Sequence, residues 1–266
     1  MLSPLIDAVI LGIVEGLTEF LPVSSTGHLI VMGHVLGFTG AKAATFEVFI
    51  QLGAILAVVW LFRDRFVSLL SLKPASSGLA GRRGVGLLAL TTLPALIFGF
   101  LLHDFIKTSL FTPLTVALAL GIGGVAIILF ERFYKPAKAN TLDTITVRQA
   151  LAIGLFQVLA LWPGVSRAAA TILGGMFSGL DRKAAVEYSF LAAVPVMLAA
   201  TGYDLLKSLP FLHIGDLPLF AVGFITSFIA AVVAIKWLVK LVQTHNFAAF
   251  GWYRIALAII IVLVLL

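Results

Sequence analysis

Cysteine is missing from all 266 residues. That excludes disulfides and thiolate chemistry and leaves the compartment open. Charge is nearly as scarce: 11% of the residues are charged, where a soluble domain of this length carries about 25%. With a mean hydropathy of +1.13, the composition is that of an integral membrane protein. The period-2 alternation of an outer-membrane barrel is lacking too, so helices are the spanning option that remains. The net charge of +6 follows topology, as its placement below indicates, and no nucleic-acid partner is expected. The first lysine or arginine is Lys42, so the basic region of a secretory signal is absent and no cleavable signal is expected.

What is there in quantity is uninterrupted apolar sequence. Gly84 to Leu102, Thr108 to Phe130, Tyr188 to Tyr203 and Leu217 to Ile235 hold no charged residue. Each is close to the roughly 20 residues that cross about 30 Å of hydrocarbon as a helix. Six full spans are predicted, near 43–62, 85–103, 111–131, 184–204, 216–237 and 247–266. Two further segments, 5–36 and 149–178, break in the middle at proline and small polar residues, Pro22-Val-Ser-Ser-Thr-Gly and Pro163-Gly-Val-Ser-Arg. Membranes tolerate such breaks only where protein or a water-filled cavity surrounds the freed backbone groups. Both segments are therefore predicted to be re-entrant hairpins, with kinked spans as the alternative.

Lysine and arginine placement favours the hairpins. One face receives Arg63, Arg65, Lys73, Arg82, Arg83, Arg132, Lys135, Lys138, Arg148, Arg182, Lys183, Lys236, Lys240 and Arg254. The other receives only Lys42, Lys107 and Lys207, and Arg167 alone falls inside a segment. Both termini are then expected to lie outside the cytoplasm. The 63–83 loop reads as a flexible cytoplasmic linker with basic anchors. The broken segments also match each other: Gly12, Glu15, Ser24 and Gly33 recur as Gly154, Gln157, Ser166 and Gly175 at a constant offset. Three spans follow each hairpin, so the second copy is flipped. The expected fold is all-α and polytopic, a single membrane domain over 1–266. It is built as an inverted-topology repeat of 1–140 and 141–266, with its site where the broken helices meet near the midplane.

Those breaks hold the chemistry. Ionisable residues in lipid are costly and mark working sites by default. Glu15 and Glu19 are four apart and share a helical face; a metal ion, a shared proton or a cationic ligand would relieve their repulsion. The bland alternative is a solvated helix end. Arg167 beside a Pro-Gly turn needs an anion, and its planar fork matches phosphate oxygens; the bland alternative is a structural ion pair with Glu187 or Glu47. Carboxylates suit a hard divalent cation bridging phosphates, arginine neutralises charge on a transferring phosphoryl group, and serine or histidine can act as nucleophile or base. Phosphoryl chemistry on a lipid phosphate is the class indicated. A carrier or flippase is the alternative, because inverted repeats with broken helices also build transporters.

Glu15-Gly-Leu-Thr-Glu-Phe-Leu-Pro-Val-Ser-Ser-Thr-Gly-His28 resembles the first signature of bacterial undecaprenyl-diphosphatases, the bacitracin-resistance phosphatases. Trp162-Pro-Gly-Val-Ser-Arg167 resembles their second, and Thr45 to Gly53 extends the likeness along the chain. The resemblance implies hydrolysis of undecaprenyl diphosphate to the monophosphate and inorganic phosphate, recycling the lipid carrier of peptidoglycan synthesis. It implies a divalent cation, Mg2+ or Ca2+, a site open to the outer face, and bacitracin as a competitor for the substrate. By the same likeness Glu19, Ser25, His28 and Arg167 are catalytic, and Glu15 and Glu19 hold the metal. Ser24, Thr26, Gly27, Ser166 and Thr171 form the polar shell around the substrate. The family's Ser-Arg-Ser-Gly-x-Thr is here Ser166-Arg-Ala-Ala-Ala-Thr171, so position 168 offers no hydroxyl.

Glu47 and Gln51, one turn apart on the next span, are candidates for support behind the site or for a plain interhelical contact. His34, His103, His213 and His245 fit segment ends; Trp60, Trp237 and Trp252 fit an aromatic belt, with Trp162 a candidate exception. Gly121, Gly123 and Gly124 fit close helix packing. Oligomeric state is left open, a homodimer included.

Overall fold

A computed structural model describes residues 4–71, 78–134, 141–208 and 213–266, and among them every regular element is helical. The first broken segment forms two short helices, α1 (Pro4–Thr18) and α2 (Ser25–Leu36). There follow α3 (Ala41–Leu61), α4 (Arg63–Leu69), α5 (Gly81–Leu101), the single turn α6 (His103–Phe105) and α7 (Pro113–Phe133). The second broken segment gives α8 (Val147–Leu159) and α9 (Arg167–Phe177), then come α10 (Arg182–Ser208), α11 (Leu217–Leu241) and α12 (Ala248–Leu265).

Six of these, α3, α5, α7, α10, α11 and α12, are long and apolar enough to cross a membrane. The protein is a multi-pass membrane protein, and its spans begin and end within four residues of the predicted ones. The helices of the broken segments hold 15, 12, 13 and 11 residues. At about 1.5 Å per residue none reaches across about 30 Å of hydrocarbon. Local chemistry sets several boundaries. Thr112 caps α7 with proline at its first position, and Thr146 and Gln149 form a reciprocal capping box on α8. Gly37 in the left-handed region ends α2.

Neighbours are arranged across the two halves. α1 lies on α11, α8 lies on α5, α3 packs on α10 and α11, and α7 packs on α12. Bare backbone makes the closest approaches possible. A Cβ on Gly16 would stand 2.7 Å from the Ala230 Cβ and 2.8 Å from the Ala231 nitrogen, with the Ser227 carbonyl nearer still. The expectation of close packing holds at Gly124, where a Cβ would meet the Gly251 carbonyl at 2.6 Å, whereas Gly123 makes room for the Arg254 guanidinium and a Cβ on Gly121 would reach only ordinary contact with the Ala258 Cβ at 3.8 Å.

Two expectations change. The described part of the 63–83 loop carries the helix α4, and two of its basic residues are tied down: Arg65 pairs with Asp143 at 3.1 Å, and Arg83 donates to the Gly78 and Ile145 carbonyls at 2.7 Å each, while residues 72–77 lie outside the described residues. Arg254 does not belong to the cytoplasmic charge set. It lies nearly two turns inside α12 and is 0% exposed, because its guanidinium is consumed by carbonyls within the protein. Lys73, Lys135 and Lys138 of that set lie outside the described residues.

Candidate active site

Both broken segments turn at a proline, which lacks the N–H that would continue the helix, and both then pass through one serine in an unusual conformation. Ser24 (φ 69°, ψ 101°) and Ser166 (φ 72°, ψ 115°) are the non-glycine residues with positive φ among those described. Holding such a residue there costs of order 1–3 kcal/mol. Part of that is offset because each hydroxyl caps the helix it precedes. Gly27 N–H donates to Ser24 Oγ (3.4 Å), and Ala169 N–H donates to Ser166 Oγ (3.1 Å). The first turns of α2 and α9 therefore start at the two breaks.

The breaks touch. Ser166 Oγ donates to the Leu21 carbonyl at 3.4 Å, and Arg254 ties the rest. One of its terminal nitrogens donates to Val165 O (2.9 Å) and Pro22 O (3.3 Å), the other to Gly164 O (2.9 Å) and Ala119 O (3.2 Å), and its Nε to Leu120 O (3.4 Å). A single buried arginine thus satisfies carbonyls at both breaks, which the interrupted helices would otherwise leave open, and joins them to the unbroken α7.

Above this tie runs a chain of three side chains. Ser25 Oγ donates to Glu19 Oε2 at 2.6 Å, and Arg167 donates to the other oxygen, Oε1, at 3.2 Å. Arg167 is held in turn by the Ser189 carbonyl (3.1 Å) and hydroxyl (3.4 Å), and its guanidinium lies over the Phe20 ring, 5.4 Å from the centroid. Its Nε–H is buried with no partner among the described residues, a spare donor on the arginine that holds Glu19. Glu15 is 0% exposed, and both its oxygens lack a hydrogen-bond partner among the described residues. Glu19, Glu47 and Arg167 lie within electrostatic range of it.

Glu19, Ser25 and Arg167 are therefore brought together. His28 is set apart. Its Nδ1 faces the Ser24 carbonyl (2.7 Å) and its Nε2 the Tyr253 hydroxyl (2.6 Å), so it does not reach Ser25. The hydroxyls of Ser24 and Ser166 cap helices, and Thr171 Oγ1 bonds the Arg167 carbonyl (2.8 Å) and Ser189 Oγ (2.6 Å). Those three shape the site from behind. Gly27 is enclosed, a Cβ there meeting Leu120 at 2.9 Å, and Thr26 is half-buried in the first turn of α2. Glu47 stands near Glu15, whereas Gln51, one turn on, joins none of these bonds. Arg167 pairs with neither Glu47 nor Glu187, which is 3.8 Å from Lys183. Ala168 is 0% exposed within the apolar core, so the hydroxyl absent there has no bearing on the open side of the site.

Sequence reasoning passed over Phe20, Ser189, Tyr253 and Arg254. Arg254 carried a signal, a lone arginine in the apolar run 247–266; Ser189 carried none. Trp162, the candidate exception to the belt, donates its indole N–H to Thr115 O at 3.1 Å and anchors the second break to α7.

A divalent cation fits on one count. An enclosed carboxylate with two free oxygens wants a cation or a proton, and small hard cations are often held by one or two carboxylates with substrate phosphates completing the shell. Glu15 supplies such a carboxylate, while both Glu19 oxygens are already engaged.

The family model of bacitracin resistance protein BacA matches residues 8–260. The chain is 58% identical to an undecaprenyl-diphosphatase of Maridesulfovibrio salexigens over 97% of each chain. It is 53% identical to one of Methylobacillus flagellatus, over 97% of this chain and 96% of that one. It is 52% identical to undecaprenyl-diphosphatase 1 of Bacillus anthracis over 97% of each. None of these names describes a carrier or flippase.

Proposed function

Because this chain belongs to the family of bacitracin resistance protein BacA, we propose that it hydrolyses undecaprenyl diphosphate to undecaprenyl phosphate and inorganic phosphate. The observation that carries the chemistry is the 2.6 Å bond from Ser25 to Glu19, with Arg167 on the far oxygen of the same carboxylate. A serine is a weak nucleophile until a base takes its proton, and Glu19 is placed to take it. The Ser25 oxygen attacks the terminal phosphorus; the Ser25–phosphorus bond forms and the anhydride bond to undecaprenyl phosphate breaks. Water then attacks phosphoserine: its oxygen bonds to phosphorus as the phosphorus–Ser25 bond breaks, Ser25 takes back the proton held by Glu19, and inorganic phosphate leaves carrying the protons of the water.

Arg167 has two tasks. It orients Glu19, and its unpartnered Nε–H, with the opening turns of α2 and α9, meets the charge that builds on the phosphoryl oxygens. Glu15 would hold the divalent cation, Mg2+ or Ca2+, which supplies charge neutralisation to the diphosphate. Glu19, engaged by serine and arginine, serves as base in place of metal ligand. His28, with its Nδ1–H on the Ser24 carbonyl and its Nε2 on the Tyr253 hydroxyl, stands at the half-exposed edge of the site and exchanges protons through that hydroxyl.

The membrane setting follows from the same reading. The basic loops face the cytoplasm of a bacterial inner membrane and the termini face outward. The two broken segments are re-entrant and related by an inverted repeat, 1–140 with 141–266. Three facts support that repeat: the shared serine conformation, the matching helix caps, and the crossed pairing of α1 on α11 and α8 on α5. The site then opens to the outer face, where bacitracin would compete for the lipid. One chain holds every group the mechanism uses, so a homodimer is not required for turnover.

Phosphate release from undecaprenyl diphosphate by the purified protein in detergent is the test. Ser25→Ala and Glu19→Gln should each lose at least about 1000-fold, the scale of an activated nucleophile and its base. Near-normal release by well-folded Ser25→Ala would overturn the serine assignment.

A further inference from the structure

The last span does more than complete the bundle. Tyr253 and Arg254 are adjacent on α12, and both reach the broken segments: Arg254 to their carbonyls, Tyr253 to His28. The tyrosine ring is stacked on the imidazole, with centroids 5.5 Å apart and planes 10° from parallel. Its hydroxyl lies 2.6 Å from His28 Nε2, while Nδ1 lies 2.7 Å from the Ser24 carbonyl. A carbonyl oxygen only accepts, so Nδ1 carries a proton. In the neutral ring Nε2 is then the acceptor, and the tyrosine O–H donates to it. Both nitrogens and one face of the imidazole are thus fixed. In the serine-protease triad a carboxylate holds Nδ1–H and leaves Nε2 to react; here the Ser24 carbonyl holds Nδ1–H and a phenol on another helix holds Nε2.

We propose that Tyr253 is a positioning residue for His28. With the Nδ1–H tautomer set by the Ser24 carbonyl, the tyrosine hydroxyl holds the Nε2 edge of the ring and is the group through which Nε2 gains or loses a proton, and the tyrosine ring blocks rotation of the imidazole. Tyr253 itself is 48% exposed, so its replacement is expected to leave the fold intact. This inference rests on the reading of His28 as a proton-exchanging group in a lipid diphosphatase.

The test is a double-mutant cycle on phosphate release by the purified full chain. Tyr253→Phe keeps the stacked ring and deletes only the hydroxyl. It should lower kcat about tenfold, the scale of one hydrogen bond to a working group, with KM changed less than twofold. Tyr253→Ala should fall further, since the ring is lost as well. In a His28→Ala background, Tyr253→Phe should add no further loss, because residues that act through one another are not additive. Equal losses in both backgrounds, or normal kcat for Tyr253→Phe beside a crippled His28→Ala, would overturn the positioning role and leave the reaction assignment standing. Normal turnover by His28→Ala would instead overturn the role of His28 on which the inference rests.

Discussion

At the scale of single residues, the site is organised by which charged groups are engaged and which are spare. Glu19 spends one oxygen on Ser25 and the other on Arg167, whereas Glu15 spends neither among the described residues. Removing added cation, or replacing Glu15 with Gln, should therefore slow turnover without disturbing the Ser25–Glu19–Arg167 bonds. Activity titrated against added Mg2+ checks this: Glu15→Gln should need more cation or lose its response to it. Arg167 bridges Glu19 and the Ser189 carbonyl, two acceptors that one ammonium on a flexible stem does not hold in the same plane. Arg167→Lys should insert and purify normally and turn over on the order of 100-fold to 1000-fold more slowly; a rate within threefold of the parent would show that planarity is irrelevant. Arg254 is the structural counterpart. Arg254→Met strands carbonyls of Pro22, Gly164 and Val165 in the interior, at about 1–3 kcal/mol for each acceptor left unpaired. The thermal midpoint in detergent should fall clearly, with activity lost in parallel.

At the scale of elements, the six spans were legible because an uninterrupted apolar run of about 20 residues has one solution in lipid. The two breaks were legible for the converse reason, since Pro22 and Pro163-Gly164 sit where a plain span has no use for them. The meeting of Ser25, Glu19 and Arg167 was partly legible: the residues were marked by type, but their bonding depends on the approach of two segments about 140 residues apart. Arg254 was misplaced because periodicity and charge counting do not separate a loop arginine from one buried two turns inside a helix. Ser189 and Tyr253 were missed because a serine and a tyrosine in apolar helices are ordinary until a neighbour is seen. Packing of α1 on α11 gives a test at this scale. Gly16→Val forces a branched side chain into the Ser227–Ala231 backbone, whereas a Cβ on Gly86 meets nothing within 4 Å. Gly16→Val should destabilise the protein by at least about 1–3 kcal/mol and displace the Glu15 carboxylate next to it, and Gly86→Ala should be silent in both thermal midpoint and turnover.

At the scale of the whole molecule, two halves of like construction contribute unlike chemistry. The first break brings two carboxylates, a serine bonded to one of them and a histidine, and the second brings the arginine; at the place of Glu15 the second half has Gln157, whose amide donates to Thr91 O at 3.1 Å. The opposed insertion that this implies can be read directly, because the chain holds no cysteine. Asp64→Cys, at a side chain 96% exposed, should react with an impermeant thiol reagent only from the cytoplasm, and Ile214→Cys, at a residue 93% exposed, only from outside. Reaction of both from one face would exclude the proposed insertion. The proposed attack of Ser25 on phosphorus is the central claim, and the configuration of the released phosphate reports that step most directly. With undecaprenyl diphosphate made chiral at its terminal phosphorus by isotope and sulfur substitution, attack by Ser25 followed by water gives two displacements and retention of configuration. Retention is the expected result; inversion, the mark of a single displacement by water, would contradict the serine mechanism.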